Sequence, residues 1–168
     1  LGQVRGIYRY ALREMVDTEG TATMIRYLTD NEIPHDVRLI AAHYLQRAAN
    51  LNLAPHHAQI VSVWHSERNP FLRISLASAL GRLKTPEART LLTESLQTES
   101  DYQVKCSILR ALQTYNYEDV YEIVLEFTKV SNPAIAEVAS QYFIRNANER
   151  DAGKYKAAMD QCKTWQAK

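Results

Sequence analysis

The most informative part of this 168-residue chain is PFLRISLASALGRLKTPEARTLL, residues 70–92. Its apolar residues recur at the spacing of one stripe on an α-helix: Leu72, Leu76, Ala79 and Leu80. Asn69-Pro70 precedes the stripe and Thr85-Pro86-Glu87 follows it, and these residue types are preferred at the N-termini of helices. The stretch therefore predicts two consecutive helices joined by a short loop.

The same stripe recurs along the chain. Counted from its first apolar residue, which we call the anchor, each copy has apolar residues at positions zero, four, seven and eight. The anchors are Val4, Val37, Leu72, Val104 and Ile135, so successive copies start 33, 35, 32 and 31 residues apart. Nearly constant spacing is typical of one supersecondary unit per repeat.

A shorter amphipathic run follows each stripe. These runs cover residues 21–28, 56–64, 88–96, 121–130 and 153–165. Asp101 and Asn132-Pro133 stand just ahead of the fourth and fifth stripes, where their side chains can accept the free N–H groups of a first helical turn. If each run is a helix A and each stripe a helix B, the sequence predicts an all-α fold of about five antiparallel helix pairs.

The stretch quoted above and DYQVKCSILRALQTYNYEDVYEIVLEF at residues 101–127 resemble HEAT repeats. That family typically carries Asp/Asn-Pro, a Val-Arg pair and an Ala-rich B helix that ends in Leu-Gly, which only Leu80-Gly81 keeps here. The resemblance covers essentially the whole chain and is weakest in the last copy, where Ala136 replaces the basic residue. It implies a HEAT-like solenoid, a right-handed α-α superhelix, as one domain over residues 1–168.

A second resemblance concerns VASQYFIRNANERDAGKYKAAMDQ, residues 138–161, which is similar to helical segments joined to cyclophilin-type prolyl isomerases in some bacteria. The isomerase domain has no counterpart in this chain. This resemblance implies an alternative function, that of a helical accessory segment in a larger enzyme whose catalytic domain is absent here.

Composition excludes several classes of function. The chain has 20 basic and 19 acidic residues, so it lacks the charge excess expected where nucleic acid or a membrane surface dominates binding. No apolar run approaches the roughly 20 residues of a membrane span. We expect a soluble protein, either cytoplasmic or periplasmic. Cys106 and Cys162 share no motif and are expected to be free thiols.

The sequence also gives little support for catalysis or a cofactor. There is no nucleophile-elbow motif, no phosphate-binding glycine loop and no sequence pairing of Cys with His, so we expect neither an enzyme nor a cofactor. Five histidines, His35, His43, His56, His57 and His65, lack both the i, i+4 spacing and the acidic partner of helical zinc sites. No metal site is predicted, although a weak one across residues 43–65 stays an alternative.

The HEAT resemblance assigns roles to two sets of residues. The basic residue beside each anchor is expected to be structural, bonding carbonyls or acids between repeats: Arg5, Arg38, Arg73 and Lys105. The B helices are expected to line a concave face, on which positions six and ten point roughly 240° and 280° around the helix from the anchor. The candidate binding residues there are His43, Arg47, Ser78, Arg82, Arg110, Gln141 and Arg145.

The four arginines of that set could form a basic column, and Arg binds carboxylate and phosphate bidentately. The sequence therefore favours a non-catalytic scaffold that binds a protein or an acidic peptide, with no role for nucleic acid or membrane. An ordinary solvated helix face is the alternative. Trp64 and Tyr117 are further candidates for exposed aromatic contacts, although helix packing explains them equally well.

The two ends of the chain differ. The last predicted helix is polar enough to cap a solenoid, with Lys154, Lys156, Asp160, Lys163 and Lys168. The first stripe lacks a partner helix, and the chain begins at Leu1 instead of Met. We therefore expect a fragment of a longer protein that is open on its N-terminal side, where it either continues or self-associates through the first helix.

Overall fold

The computed structural model describes residues 18–48, 51–146 and 152–163, and within these ranges the secondary structure consists of helices and turns. A short 3-10 helix covers Ala54–His56, just before the third α-helix. The α-helices are α1 (Thr18–Thr29), α2 (His35–Arg47), α3 (His57–Ser66), α4 (Pro70–Leu83), α5 (Pro86–Thr98), α6 (Tyr102–Leu112), α7 (Tyr117–Phe127), α8 (Pro133–Asn146) and α9 (Ala152–Asp160). The all-α prediction is confirmed for these residues.

The chain forms two compact units, Leu1–Leu83 and Lys84–Lys168. In the first unit, α1 packs against α2 and α3 against α4, so each predicted A helix forms a hairpin with the B helix that follows it. The two hairpins also pack on each other, α1 on α3 and α2 on α4. In the second unit, α5 packs on α6, α7 on α8, and α6 on α8. The expectation of one solenoid domain stays a prediction.

The apolar stripes form the cores of the two units. In the four copies that the structure describes, every stripe residue is buried except Val37, which is half-buried. The A helices contribute the facing side chains, among them Ile25, Leu28, Ile60, Leu92 and Val124. Burial of a Leu or Ile side chain stabilises a fold by roughly 1.5–3 kcal/mol, so the buried stripes contribute substantially to the stability of both units. The first stripe lies outside the described residues.

Helix starts follow the predicted capping residues in four cases. Oδ1 of Asn69, Asp101 and Asn132 each accepts the N–H groups two and three residues further along, at 2.8–3.4 Å. Oγ1 of Thr85 accepts the N–H of Ala88 at 3.2 Å. Asn116 is the N-cap residue of α7, but its side chain makes no capping hydrogen bond.

Several boundaries differ from the sequence prediction. The run predicted at 121–130 is a helix over Tyr117–Phe127, because Glu118 and Asp119 suit a first helical turn. The last predicted helix ends at Asp160, well before residue 165. Between α4 and α5, Lys84 adopts φ 54°, the left-handed conformation that commonly ends a helix and usually requires glycine. Thr85 is then the N-cap residue of α5.

Candidate functional site

The candidate binding face of the first unit is carried by α2 and α4. The hydrogen bonds at both helix ends show that the two helices run in the same direction: His35 Nε2 lies 3.4 Å from Asn69 Nδ2, and Arg82 Nη1 donates to Leu45 O at 2.9 Å. Positions −1, +3, +6 and +10 from each anchor fall within about 60° of one another around a helix. We call the residues at these positions the α2/α4 face: Asp36, Ile40, His43, Arg47, Phe71, Ser75, Ser78 and Arg82.

Two large apolar side chains are exposed on this face. Ile40 is 55% exposed and Phe71 is 64% exposed. Sequence reasoning missed both because it considered positions six and ten alone, whereas Ile40 is at +3 and Phe71 at −1. The sequence contained the information needed to find them, because the same helical geometry places Ile40 and Phe71 on the face that was predicted to be polar. Two exposed large apolar side chains on neighbouring helices make this face a candidate contact surface.

The four predicted residues of the first unit lie on this face, but they are not equivalent. Arg47 is exposed, whereas Arg82 is half-buried and bonded to the carbonyl of Leu45. Burial lowers the pKa of Arg82, although the guanidinium stays charged at neutral pH. Ser78 accepts from Gln46 Nε2 at 3.4 Å. Arg82 and Ser78 therefore hold α4 against α2, and Arg47 is the more accessible cation.

His43 adds a titratable group to the same face. Burial lowers the pKa of His43 below its usual value, and the charge of Arg47 lowers it further. The imidazole is therefore neutral at physiological pH. A negatively charged ligand on the α2/α4 face would favour the protonated form.

The other three predicted residues belong to the second unit, on α6 and α8. Arg110 and Arg145 are exposed, and Arg145 Nη1 donates to Gln113 Oε1 at 3.4 Å. Gln141 donates from Nε2 to Glu137 Oε1 at 3.1 Å, so a carboxylate neighbours this group. The exposed apolar residue nearby in the sequence is Ile144, at 77%. Ile144 is at position +9 from its anchor, which is outside the range of helix angles that defines the α2/α4 face of the first unit.

Two of the basic residues beside the anchors contact the end of the preceding helix. Arg38 of α2 donates from Nε to Leu28 O of α1 at 3.2 Å. Arg73 of α4 donates from Nη1 to Trp64 O at 3.0 Å and to Glu67 O at 3.1 Å, at the end of α3. A cation at these positions satisfies the last helical carbonyls and opposes the helix dipole. Lys105 instead lies over the ring of Phe127, with Nζ 5.9 Å from its centroid. Arg5 lies outside the described residues.

Glu67 links these contacts, and sequence reasoning missed it. Its Oε2 accepts Arg38 Nη2 at 2.8 Å, and Oε1 accepts the N–H groups of Arg68 and Asn69 at 2.9 and 2.8 Å. Glu99 repeats the second arrangement, accepting the N–H groups of Ser100 and Asp101 at 2.9 and 3.1 Å. Both acids stand five residues before an anchor. This shared position is the sequence feature that could have identified the two acids.

The aromatic candidates are packing residues. Trp64 is only 2% exposed, so it is not available for binding, and the guanidinium of Arg73 lies 4.0 Å from the centroid of one of its rings. Tyr117 is half-buried in a stack with Tyr121 and Tyr142, at centroid distances of 5.4 and 5.6 Å. Both cysteines are free and buried. Burial raises the pKa of Cys106.

No three His, Cys, Asp or Glu side chains are grouped as metal ligands in the part of the chain that the structure describes. None of the helices in residues 18–48, 51–146 and 152–163 is long and apolar enough to span a bilayer. Comparison of the chain with protein-family models, with curated proteins and with solved structures finds no match.

Proposed function

We propose that this chain is a non-catalytic protein-interaction module of HEAT-like helix pairs stacked as a right-handed solenoid. Its α2/α4 face binds an acidic peptide that also carries apolar side chains. The solenoid proposal is supported by the constant repeat spacing, by the hairpins within each unit, and by the arginines that bond the ends of preceding helices.

The observation that carries the binding proposal is the joint exposure of Ile40 and Phe71 on the α2/α4 face. Covering an exposed Ile or Phe side chain stabilises a complex by roughly 1–2 kcal/mol. Arg47, Arg82 and His43 share the face with a single acid, Asp36, so its charge complements an acidic ligand. Arg47 supplies the accessible guanidinium that can pair with a carboxylate.

The test uses a blocked peptide composed of Glu, Leu and Phe, compared with the same peptide in which Lys replaces Glu. We expect the acidic peptide to bind with a Kd on the order of 100 μM and to shift the amide resonances of Ile40, His43, Arg47 and Phe71. Ile40→Ser and Phe71→Ser should each weaken binding by about tenfold. Arg47→Glu should weaken binding of the acidic peptide and strengthen that of the Lys peptide.

Ile144→Ser is the matched control, because Ile144 is an exposed apolar residue on a helix of the second unit. It should leave affinity unchanged. Equal affinity for the two peptides, or equal losses in the control and in Phe71→Ser, would refute the assignment of this face. Reversal of Arg82 is a poor test, because it also breaks the bond to Leu45 O.

A further inference from the structure

A polar depression lies in the first unit, beside α3. It encloses about 420 Å³, a volume typical of sites for small molecules or short peptide segments. The end of α1, the start of α2 and one side of α3 line it: Thr29, Asn31, Arg38, Ala58, Gln59, Ser62, Val63 and Ser66. Val63 is the buried member, and most of the others carry a hydrogen-bonding side chain.

The charge of this depression is already balanced. Arg38 is the charged side chain in its lining, and it forms an ion pair with Glu67 at 2.8 Å. The two side chains are only 14% and 10% exposed. An incoming anion would have to compete with Glu67 for Arg38, and it would lose hydration without facing a net positive charge. The lining therefore favours an uncharged ligand.

The lining also offers both hydrogen-bond donors and acceptors. Among the described residues none bonds Nη1 of Arg38, the amide of Asn31 or the hydroxyl of Ser62. Gln59 is engaged at Oε1 by His56 Nδ1 at 3.0 Å, which leaves its NH₂ group as a donor. Thr29 and Ser66 already donate their hydroxyl protons to Arg26 O and Ser62 O, so their oxygens can accept.

We propose that this depression is a second binding site, one that takes an uncharged carboxamide group. A carboxamide has one strong acceptor and at least one N–H donor, and the lining can satisfy both. Asn31, Gln59 and Arg38 donate to the carbonyl oxygen, and the hydroxyl oxygens of Thr29, Ser62 and Ser66 accept from the N–H. The site is independent of the α2/α4 face, since none of its lining residues belongs to that face.

Two probes separate the sources of such a group. N-acetylglycine N-methylamide represents a peptide main chain, and propionamide represents an Asn or Gln side chain. We expect one of them to give saturable amide shifts at Gln59, Ser62 and Ser66, with a Kd on the order of 10 mM. The probe that binds more tightly shows whether the site binds a peptide main chain or an Asn or Gln side chain. Acetate at the same ionic strength should give no saturable shift at these residues.

Ser62→Leu tests the assignment, because Ser62 is exposed on α3 and its replacement fills the depression without disturbing the core. The variant should bind the preferred amide at least fivefold more weakly, with an unchanged circular dichroism spectrum. Thr90→Leu on α5 is the matched control, since Thr90 is an exposed hydroxyl residue on a helix elsewhere, and it should bind normally. Saturable binding of acetate with higher affinity, or amide shifts that persist in Ser62→Leu, would overturn the proposal.

Discussion

The guanidinium of Arg73 covers the ring of Trp64 at 4.0 Å and donates a hydrogen bond to the backbone carbonyl of the same residue at 3.0 Å. A single side chain therefore covers the apolar face of a core residue and satisfies the end of the helix that carries it. This double contact joins α3 to α4 in the first unit.

Replacement of Arg73 by Lys should destabilise the first unit by about 1–3 kcal/mol. A lysine ammonium cannot bond two carbonyls in a fixed fork and cover the ring as well. In a Trp165→Phe background Trp64 is the sole tryptophan, so urea unfolding followed by fluorescence reports on this unit. Arg68→Lys, at an exposed neighbouring arginine, should change the free energy of unfolding by less than 0.5 kcal/mol, as surface changes usually do. Equal effects of the two substitutions would contradict the prediction.

Replacement of Glu67 by Ala should cost about 2–4 kcal/mol, because Arg38 would keep a largely buried charge without its partner. The double variant Arg38→Met, Glu67→Ala should lose less free energy of unfolding than the sum of the losses in the two single variants. The same tryptophan signal gives all four free energies of the double-mutant cycle. Strict additivity would show that the two side chains do not interact energetically.

The capping residues allow a prediction with an internal control. Asn69→Ala, Asp101→Ala and Asn132→Ala should each lower the free energy of unfolding by about 1 kcal/mol, because each removes an acceptor from the first turn of a helix. Asn116→Ala should have a much smaller effect, since the Asn116 side chain accepts no capping bond. Thermal denaturation by circular dichroism measures all four. A loss at Asn116 equal to the others would be inconsistent with the structure.

Binding of the acidic peptide should tighten by roughly threefold as the pH falls below 6.5 and His43 gains a positive charge beside Arg47. Its folded pKa is lowered, so the unfolded chain binds more protons just below pH 6.5 and His43 makes the fold less stable as the pH falls. His43→Gln should abolish most of the pH dependence of binding, as titration calorimetry can measure. His65→Gln, at an exposed residue of α3, should retain it. If the pH dependence survives in His43→Gln, another group is responsible.

The sequence predicted the helix pairs well because two local signals agree in each copy. The stripe at Leu72, Leu76, Ala79 and Leu80 specifies a buried helix face, and Asn69 specifies where that helix begins. Each signal acts over a single turn or two of helix, so neither depends on distant residues. At α7 the predicted amphipathic run, residues 121–130, starts and ends later than the observed helix, Tyr117–Phe127.

The candidate site was predicted less completely. Helical geometry assigned His43, Arg47, Ser78 and Arg82 to one face of their helices, but it could not show that Arg82 bonds a carbonyl of α2. Ile40 and Phe71 were missed because apolar residues are assigned to a core by default, and their exposure depends on which helices pack beside them. Glu67 was missed for a related reason, since its partner Arg38 lies 29 residues away in the sequence.

The contacts of Arg38 and Arg73 with helix-end carbonyls have a consequence for handling the protein in salt. Backbone carbonyls are neutral and these contacts are partly buried, so added electrolyte screens them far less than it screens exposed charges. Pairing between Arg47 and an acidic ligand is exposed and should weaken steeply as the Debye length shortens. Moderately high salt should therefore release a bound acidic partner while the helix hairpins stay folded, which makes salt elution a mild way to recover and identify that partner.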